Sequence, residues 1–301
     1  MNRIDICKNI IQSINEYITN PDNLEPHREK KHFIRKRKLS LFQVILYLLY
    51  SSKASMFQNL SCIREDLPSL DFPSVSKQAL SKARQFINPS LFKELFYLSV
   101  DLFYSQLPSR RLWHGYHLFA VDGSKIELPN SSSNFEFFGE MFGYPDPSRR
   151  FTMGLASIVY DVLDDYIVHS SFQRYLASER AAALEHLKNL EALNIYQDSI
   201  VIFDRGYYSE NFFRYCVEHG HLCLMRLKEG YNLAKKCSGD VHTFLPGNSK
   251  DGTTDIDVRV IEVTLDDGTK EYLATNLFDP LITQAMFQEL YFYRWPVETK
   301  Y

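Results

Sequence analysis

Three acidic residues occupy sequence positions that are typical of a metal-dependent active site. Asp122 lies within the strand-like segment HLFAVDGSKIELP, Asp204 directly follows the apolar run SIVIF, and Glu298 lies in the last helical stretch. Open α/β sheets bind ligands at the carboxyl ends of strands, where neighbouring strands bring distant acids together. Clustered carboxylates need a cation, and hard oxygen ligands favour Mg²⁺ or Mn²⁺. The pattern predicts a site for phosphoryl transfer, with two ions about 4 Å apart holding the attacking and leaving oxygens.

Each acid also has an ordinary structural interpretation. An Asp-Gly pair such as Asp122-Gly123 is more often a turn than a metal site, and Asp204 could belong to an ion-paired loop after a strand. Glu298 follows Pro296 by two residues, so it suits the first turn of a helix, where an acid complements the helix dipole. Spacing alone leaves both interpretations open.

The strands that must hold these acids are visible in the second part of the chain. Three β-rich segments come first, followed by the helix-like SERAAALEHLKNLEAL, the buried strand SIVIF and a further helix. Three consecutive strands with the middle one antiparallel, then alternating helix and strand, is the order of a ribonuclease-H-like sheet. We therefore predict an α/β fold for residues 111–301, a ribonuclease-H-like mixed sheet with flanking helices, interrupted by a β-rich insertion at about 226–272.

The first part of the chain has a different character. Residues 1–110 contain no glycine and resemble helices with short polar connections, among them LFQVILYLLY after a capping Ser40. We predict a separate N-terminal helical domain here. The LFQVILYLLY run is the longest apolar run of the chain and is too short to span a bilayer, so we expect no membrane partner.

Basic residues are concentrated between Arg28 and Lys38, although the whole chain has a net charge of −3. Contacts with DNA phosphates would give salt-sensitive affinity and little sequence specificity. A solvated basic loop is the alternative interpretation. The candidates for contact with the DNA backbone are Arg35, Lys36, Arg37, Lys38, Lys77 and Arg84.

The overall composition is that of an ordinary globular protein, with 45% hydrophobic and 24% charged residues. The 5 cysteines are odd in number and form no C-x-x-C pair. This usage is typical of reduced cysteines, so we expect a cytoplasmic protein.

Several segments together resemble the DDE transposases of bacterial insertion sequences, in particular the insertion-sequence-four class. That class shares a Tyr-x2-Arg-x3-Glu-x6-Lys signature around the third acid, and Tyr291, Arg294 and Glu298 reproduce its first three members at the right spacing. AVDGSKIELP, SERAAALEHL, IVIFDRGYYS and YLATNLFD are similar to family blocks around the first two acids. FIRKRKLSLFQVILYLL and SKQALSKAR are similar to its N-terminal region.

The resemblance implies a ribonuclease-H-like catalytic domain and a helical DNA-binding domain. It implies Mg²⁺-dependent cleavage at transposon ends and strand transfer into target DNA. Asp122, Asp204 and Glu298 would be the metal ligands, while Tyr291 and Arg294 would contact DNA phosphate near the cut. The implied partners are double-stranded DNA, as terminal repeats and target, and a second copy of the chain on paired ends. The expected location is the bacterial cytoplasm, in association with the nucleoid.

One signature residue falls outside the sequence. The lysine would stand seven positions after Glu298, and the sequence ends at Tyr301. Lys300 is not at that spacing and is not assigned the role. We therefore expect a truncated transposase. The alternatives are an inactive DNA-binding relic and another ribonuclease-H-like nuclease.

Overall fold

The structure, a computed structural model, describes residues 2–35, 37–143, 146, 148–247, 252–265 and 267–300. Within it the chain divides into two compact units, Met1–Ser109 and Arg110–Tyr301. None of the described helices combines the length and apolarity that a bilayer-spanning segment needs.

The first unit is built from helices. Its members are α1 (Arg3–Thr19), α2 (Pro21–Leu24), α3 (Leu41–Tyr50), α4 (Met56–Asp66), α5 (Lys77–Arg84) and α6 (Ser90–Gln106), with short 3₁₀ helices at Glu25–His27 and Pro68–Leu70.

Serine residues start three of these helices. Ser40 and Ser55 form reciprocal capping boxes with Gln43 and Gln58, and Ser76 caps α5. Such caps supply acceptors for backbone N–H groups that have no partner inside the helix. The helix predicted after Ser40 is confirmed, and its apolar face joins one buried core with the other helices of the unit.

The second unit is a mixed sheet with helices. Its strands are β1 (His117–Leu128), β2 (Met141–Phe142), β3 (Arg150–Asp161), β4 (Tyr166–Arg174), β5 (Ser199–Phe203), β6 (Leu222–Leu227), β7 (Asp240–Leu245), β8 (Ile256–Thr264) and β9 (Lys270–Thr275). Its helices are α7 (Ser132–Phe138), α8 (Glu179–Ala192), α9 (Glu210–Glu218), α10 (Asn232–Lys235) and α11 (Met286–Phe292), followed by a 3₁₀ helix at Trp295–Lys300.

The central strands have the predicted arrangement. β3 lies between β1 and β4 and is antiparallel to both, while β5 is parallel to β1 and to β6. The resulting order β4-β3-β1-β5-β6 is that of a ribonuclease-H-like sheet, so the predicted fold class is confirmed. Every residue of β5 is buried, as expected for an apolar strand with a neighbour on each side.

The β-rich segment continues the same sheet. β9 pairs antiparallel with β6, β8 with β9, and β7 with β8. These strands therefore extend the sheet beyond β6, and β9 returns the chain to its centre before α11.

The two faces of the sheet carry different helices. α8 contacts β1, β3 and β4. On the other face, Phe287 and Leu290 of α11 share a buried cluster with Leu118 of β1 and Ile202 of β5. The final helical stretch predicted from the sequence is divided, because α11 ends at Phe292 and a 3₁₀ helix around Pro296 follows. Proline lacks the N–H that would continue the α-helical ladder.

Candidate active site

Asp122 and Asp204 lie side by side at the end of adjacent parallel strands. β1 and β5 pair in a register whose last step joins Val121 to Phe203, and the two aspartates follow these residues directly. β1 continues past this point because β3 still pairs with it, with Asp122 opposite Ile158. The apolar strand sequences thus place both aspartates at the carboxyl end of β5, where open α/β sheets bind ligands.

The 3₁₀ helix Trp295–Lys300 brings Glu298 to the same face of the sheet. Its Val297 is fully buried in a cluster with Ala120 of β1. Strand residues two apart point to the same side, so Ala120 and Asp122 share a face. The packing of Val297 therefore holds the segment with Glu298 over the face that Asp122 occupies.

Tyr291 and Arg294 connect the acids on this face. The buried Tyr291 hydroxyl donates to Asp204 Oδ1 at 3.0 Å. The Arg294 guanidinium, with a side chain only 4% exposed, lies 2.8 Å from Glu298 Oε1. It also lies over the Trp295 ring, 5.0 Å from the ring centroid. The signature residues thus form contacts with two of the three predicted acids.

The charge environment couples the three acids. The pKa of Asp122 is raised to about 6, first by burial and further by the charges of Glu298 and Asp204. The Gly123 N–H and the Arg294 charge act in the opposite direction. The carboxyl group of Asp122 therefore lies within electrostatic range of Glu298 and Asp204.

The site shifts its other titratable groups as well. Burial raises the pKa of Tyr291, and the Asp204 charge raises it further. Burial acts to lower the pKa of Arg294, but Tyr291, Asp204 and Glu298 together keep it above the ordinary arginine value. Arg294 is therefore a fixed positive charge among acids, and Tyr291 stays protonated as a hydrogen-bond donor.

The donor chemistry of the trio fits a hard divalent cation. Carboxylate oxygens are the ligands that Mg²⁺ and Mn²⁺ prefer. Within the described part of the chain, no three His, Cys, Asp or Glu side chains form a group that would hold a metal ion. Arg294 supplies the positive charge beside Glu298 in this arrangement. Coordination by Asp122, Asp204 and Glu298 stays a prediction.

Arg226 is a site residue that the sequence interpretation missed. It lies on β6 next to β5, with Nη1 3.9 Å from Asp204 Oδ1 and Nη2 2.8 Å from Glu271 Oε1. Glu271 comes from β9, and its side chain is 9% exposed. The available signal was a charged residue inside the apolar strand LCLMRL. Arg226 adds a second positive charge beside Asp204.

A buried chain of hydrogen bonds through Ser157, His186 and His169, called here the buried histidine line, supports β1 from the opposite face. The Ser157 hydroxyl of β3 donates to the backbone carbonyl of Asp122 at 3.0 Å and lies 2.9 Å from His186 Nε2. His186 Nδ1 lies 2.6 Å from His169 Nδ1. Burial and the His169 charge lower the pKa of His186 to about 3. The strand that carries Asp122 is thereby tied to β4 and α8.

The predicted DNA-binding residues all belong to the first unit. Arg35, Arg37 and Lys38 are exposed and line one cleft, whereas Lys77 and Arg84 are exposed on α5 outside its lining. Lys36 lies outside the described residues. The structure thus groups three of these residues and leaves two apart from them.

Residues 113–301 match the family model of the transposase DDE domain. No curated protein matches the sequence. Among solved structures, the chain is similar to a cryo-EM structure of a piggyBac transposase synaptic complex with hairpin DNA, with 10% identity and a TM-score of 0.44. That alignment covers 97% of this chain and 65% of the other, so the chain spans less than two thirds of that transposase. Because the family model matches more than half of its length, the chain belongs to the transposase DDE domain family.

Proposed function

We propose that the chain is a DNA transposase of the insertion-sequence-four class, which cleaves DNA at transposon ends and joins them to target DNA. The proposal is supported by the adjacent strand ends that carry Asp122 and Asp204, and by the packing of Val297, beside Glu298, against Ala120 of β1. Tyr291 and Arg294 stand in the same site, as the Tyr-Arg-Glu spacing requires.

The three acids would hold Mg²⁺ or Mn²⁺. Bound ions would activate the attacking water or 3′-hydroxyl and offset charge on the leaving oxygen. Tyr291 donates to one oxygen of Asp204 and so fixes the orientation of that carboxylate. The Val297 anchor sets the position of Glu298.

Arg294 is suited to a DNA phosphate near the cut. Its guanidinium uses Nη2 for Glu298, and its buried Nε makes no hydrogen bond within the described part of the chain. A buried donor without an acceptor is costly, and a guanidinium beside the acids can offer charge-assisted hydrogen bonds to a phosphate oxygen. Arg226 would add positive charge on the Asp204 side.

Double-stranded DNA is the proposed partner of both units. In the first unit, exposed side chains would contact backbone phosphates: Arg35, Lys36, Arg37, Lys38, Lys77 and Arg84. We expect two copies of the chain to act on paired transposon ends. A DNA substrate of this kind would place the protein with the bacterial nucleoid.

The test is a cleavage assay with the chain and labelled DNA that carries the ends of its own genetic element. We expect nicking at the element ends with Mg²⁺, none with EDTA, and none for Asp204→Asn or Glu298→Gln. Glu289→Gln is the matched control, because Glu289 is an exposed acid on α11 outside the acidic trio.

Two outcomes would overturn the proposal. Equal cutting of any duplex would indicate a general nuclease. Binding of the element ends without cleavage would leave only a DNA-binding protein.

A further inference from the structure

The first unit contains a cleft that the proposed catalytic chemistry does not use. It lies between the segment 31–39 before α3 and the segment 74–86 that includes α5, and its volume is about 960 Å³. We call it the basic cleft. It is far larger than a single phosphate needs and falls within the range of pockets that bind organic ligands.

The rim of the basic cleft is positively charged. Its basic lining residues are Lys31, Arg35, Arg37, Lys38 and Lys82, all of them exposed. No acidic residue occurs among the described residues that line it. Side chains of one sign around a concave surface concentrate anions there, so the cleft favours an anionic ligand.

The lining of the cleft also contains apolar and aromatic residues. Phe33, Val75, Ala79 and Phe86 contribute to it. The Phe86 ring stacks on His32, with ring centroids 3.4 Å apart and planes within 10°. These residues offer contacts to a flat or apolar group beside an anionic one.

The wall formed by residues 31–35 is held in place by the protein itself. Arg28 Nη1 donates to the carbonyls of Lys30 at 3.2 Å and His32 at 3.1 Å. The N–H of Glu29 donates to the carbonyl of Phe86 at 3.0 Å, which ties the wall to the end of α5. The cleft is therefore organised without a ligand, which lowers the entropy cost of binding.

We propose that the basic cleft binds single-stranded DNA, with phosphates on the lysine and arginine rim and an unstacked base against the apolar wall. The inference rests on the proposed function in taking DNA as the partner and in using Arg35, Arg37 and Lys38 as phosphate contacts. In a duplex the bases are stacked inside the helix, so only phosphates would reach the rim. A single strand presents phosphates and base faces together, the combination that a charged groove with aromatic residues recognises.

The test compares two tryptophan substitutions on α5. Ala79 lines the cleft and is exposed, so Ala79→Trp fills the cleft from a solvent-facing position. Gln78→Trp is the matched control, exposed on the same helix and outside the lining. Fluorescence anisotropy with labelled oligothymidylate, and with a duplex of equal length, is measured in EDTA so that no cleavage is needed.

We expect Ala79→Trp to weaken oligothymidylate binding by about tenfold or more. Duplex affinity should stay at the level of the unchanged chain, and Gln78→Trp should bind both DNAs as the unchanged chain does. A second pair tests the rim without filling the cleft, since Lys82 lines it and Lys77 does not. Lys82→Ala should lower single-strand affinity more than Lys77→Ala.

The proposal fails if the unchanged chain does not bind oligothymidylate, or if Ala79→Trp binds it as tightly as Gln78→Trp. It also fails if Ala79→Trp weakens single-strand and duplex binding equally, which would make the cleft a duplex site. Thermal unfolding of each variant shows whether a loss of DNA affinity comes from misfolding. If Ala79→Trp is misfolded, the proposal fails when Lys82→Ala lowers single-strand affinity no more than Lys77→Ala. Failure here leaves the cleavage assay unaffected, and a chain that cannot cleave can still bind a single strand.

Discussion

The two units use charge in opposite ways. In the second unit, Arg294 is buried between Tyr291 and Glu298, and Asp122 is shielded enough for its pKa to reach about 6. In the first unit the basic side chains of the cleft rim stand in solvent. Buried charges interact strongly and in fixed geometry, whereas exposed charges act as a sum that salt screens. One change in the site should therefore matter far more than one change on the basic surface.

The largest effect should come from Asp122→Asn. We expect cleavage to fall by about a thousandfold or more, because the site loses one of its three acids. The free energy of unfolding without metal should stay equal or rise, because the variant removes a partly buried charge that the charges of Glu298 and Asp204 disfavour. Single-turnover cleavage and urea unfolding in EDTA measure the two quantities. A variant that is inactive because it is unfolded would contradict the interpretation.

The stability of Arg294→Met tests the difference between buried and exposed charges. Removing a buried guanidinium leaves Glu298 without its partner, and we expect the free energy of unfolding to fall by about 2 kcal/mol. The loss is smaller than for a fully buried ion pair, because the Glu298 side chain is 41% exposed. Lys77→Met, on the exposed surface, should change the free energy of unfolding by less than about 0.5 kcal/mol. Equal losses for the two variants in urea unfolding would break the contrast between buried and exposed charge.

The buried histidine line predicts a pH dependence. The pKa of His186 falls from 6.5 to about 3 on folding. Below pH 6.5, His186 therefore binds a proton in the unfolded chain but stays neutral in the folded chain. Stability should therefore fall as pH drops through this window, by about 1.4 kcal/mol per pH unit from this residue. Urea unfolding between pH 7 and pH 5 measures it, and His186→Gln should flatten the slope. An unchanged slope in the variant would assign the acid sensitivity to other groups.

The smallest effect belongs to single basic residues of the first unit. If Arg84 contacts a phosphate, Arg84→Ala should lower the slope of log affinity against log salt by about one. Duplex binding by anisotropy over a salt series measures the slope, with Lys53→Ala as a matched control on an exposed lysine outside the predicted set. A loss of affinity with no change in slope would mean that Arg84 is not a phosphate contact.

Much of this arrangement is predictable from local patterns. The apolar run SIVIF predicts a buried strand ending at Asp204, and the capping serine before Leu41 predicts α3. The Tyr-Arg-Glu spacing indicates that Tyr291, Arg294 and Glu298 act together. These features depend on interactions between residues close in sequence. A local sequence pattern is therefore enough to predict them.

Long-range packing limits the rest. Arg226 pairs with Glu271 only because β9 returns to lie beside β6, which no local pattern specifies. The basic cleft likewise needs the segment around His32 to meet Phe86. The line from His169 to Ser157 depends on a strand and a helix that approach from different parts of the chain. Each of these contacts joins elements whose distance is set by the completed fold.

The line behind Asp122 has a direction. Ser157 has one hydroxyl hydrogen, and the Asp122 carbonyl takes it, so His186 must donate to Ser157 from Nε2. A neutral His186 then accepts at Nδ1, and His169 donates to it. All three hydrogens point from β4 toward β1, and reversing one would force the reversal of the others. The backbone carbonyl of Asp122 therefore accepts the last hydrogen bond of a chain in which every donor points the same way. The single hydroxyl hydrogen of Ser157 fixes the tautomers of His186 and His169.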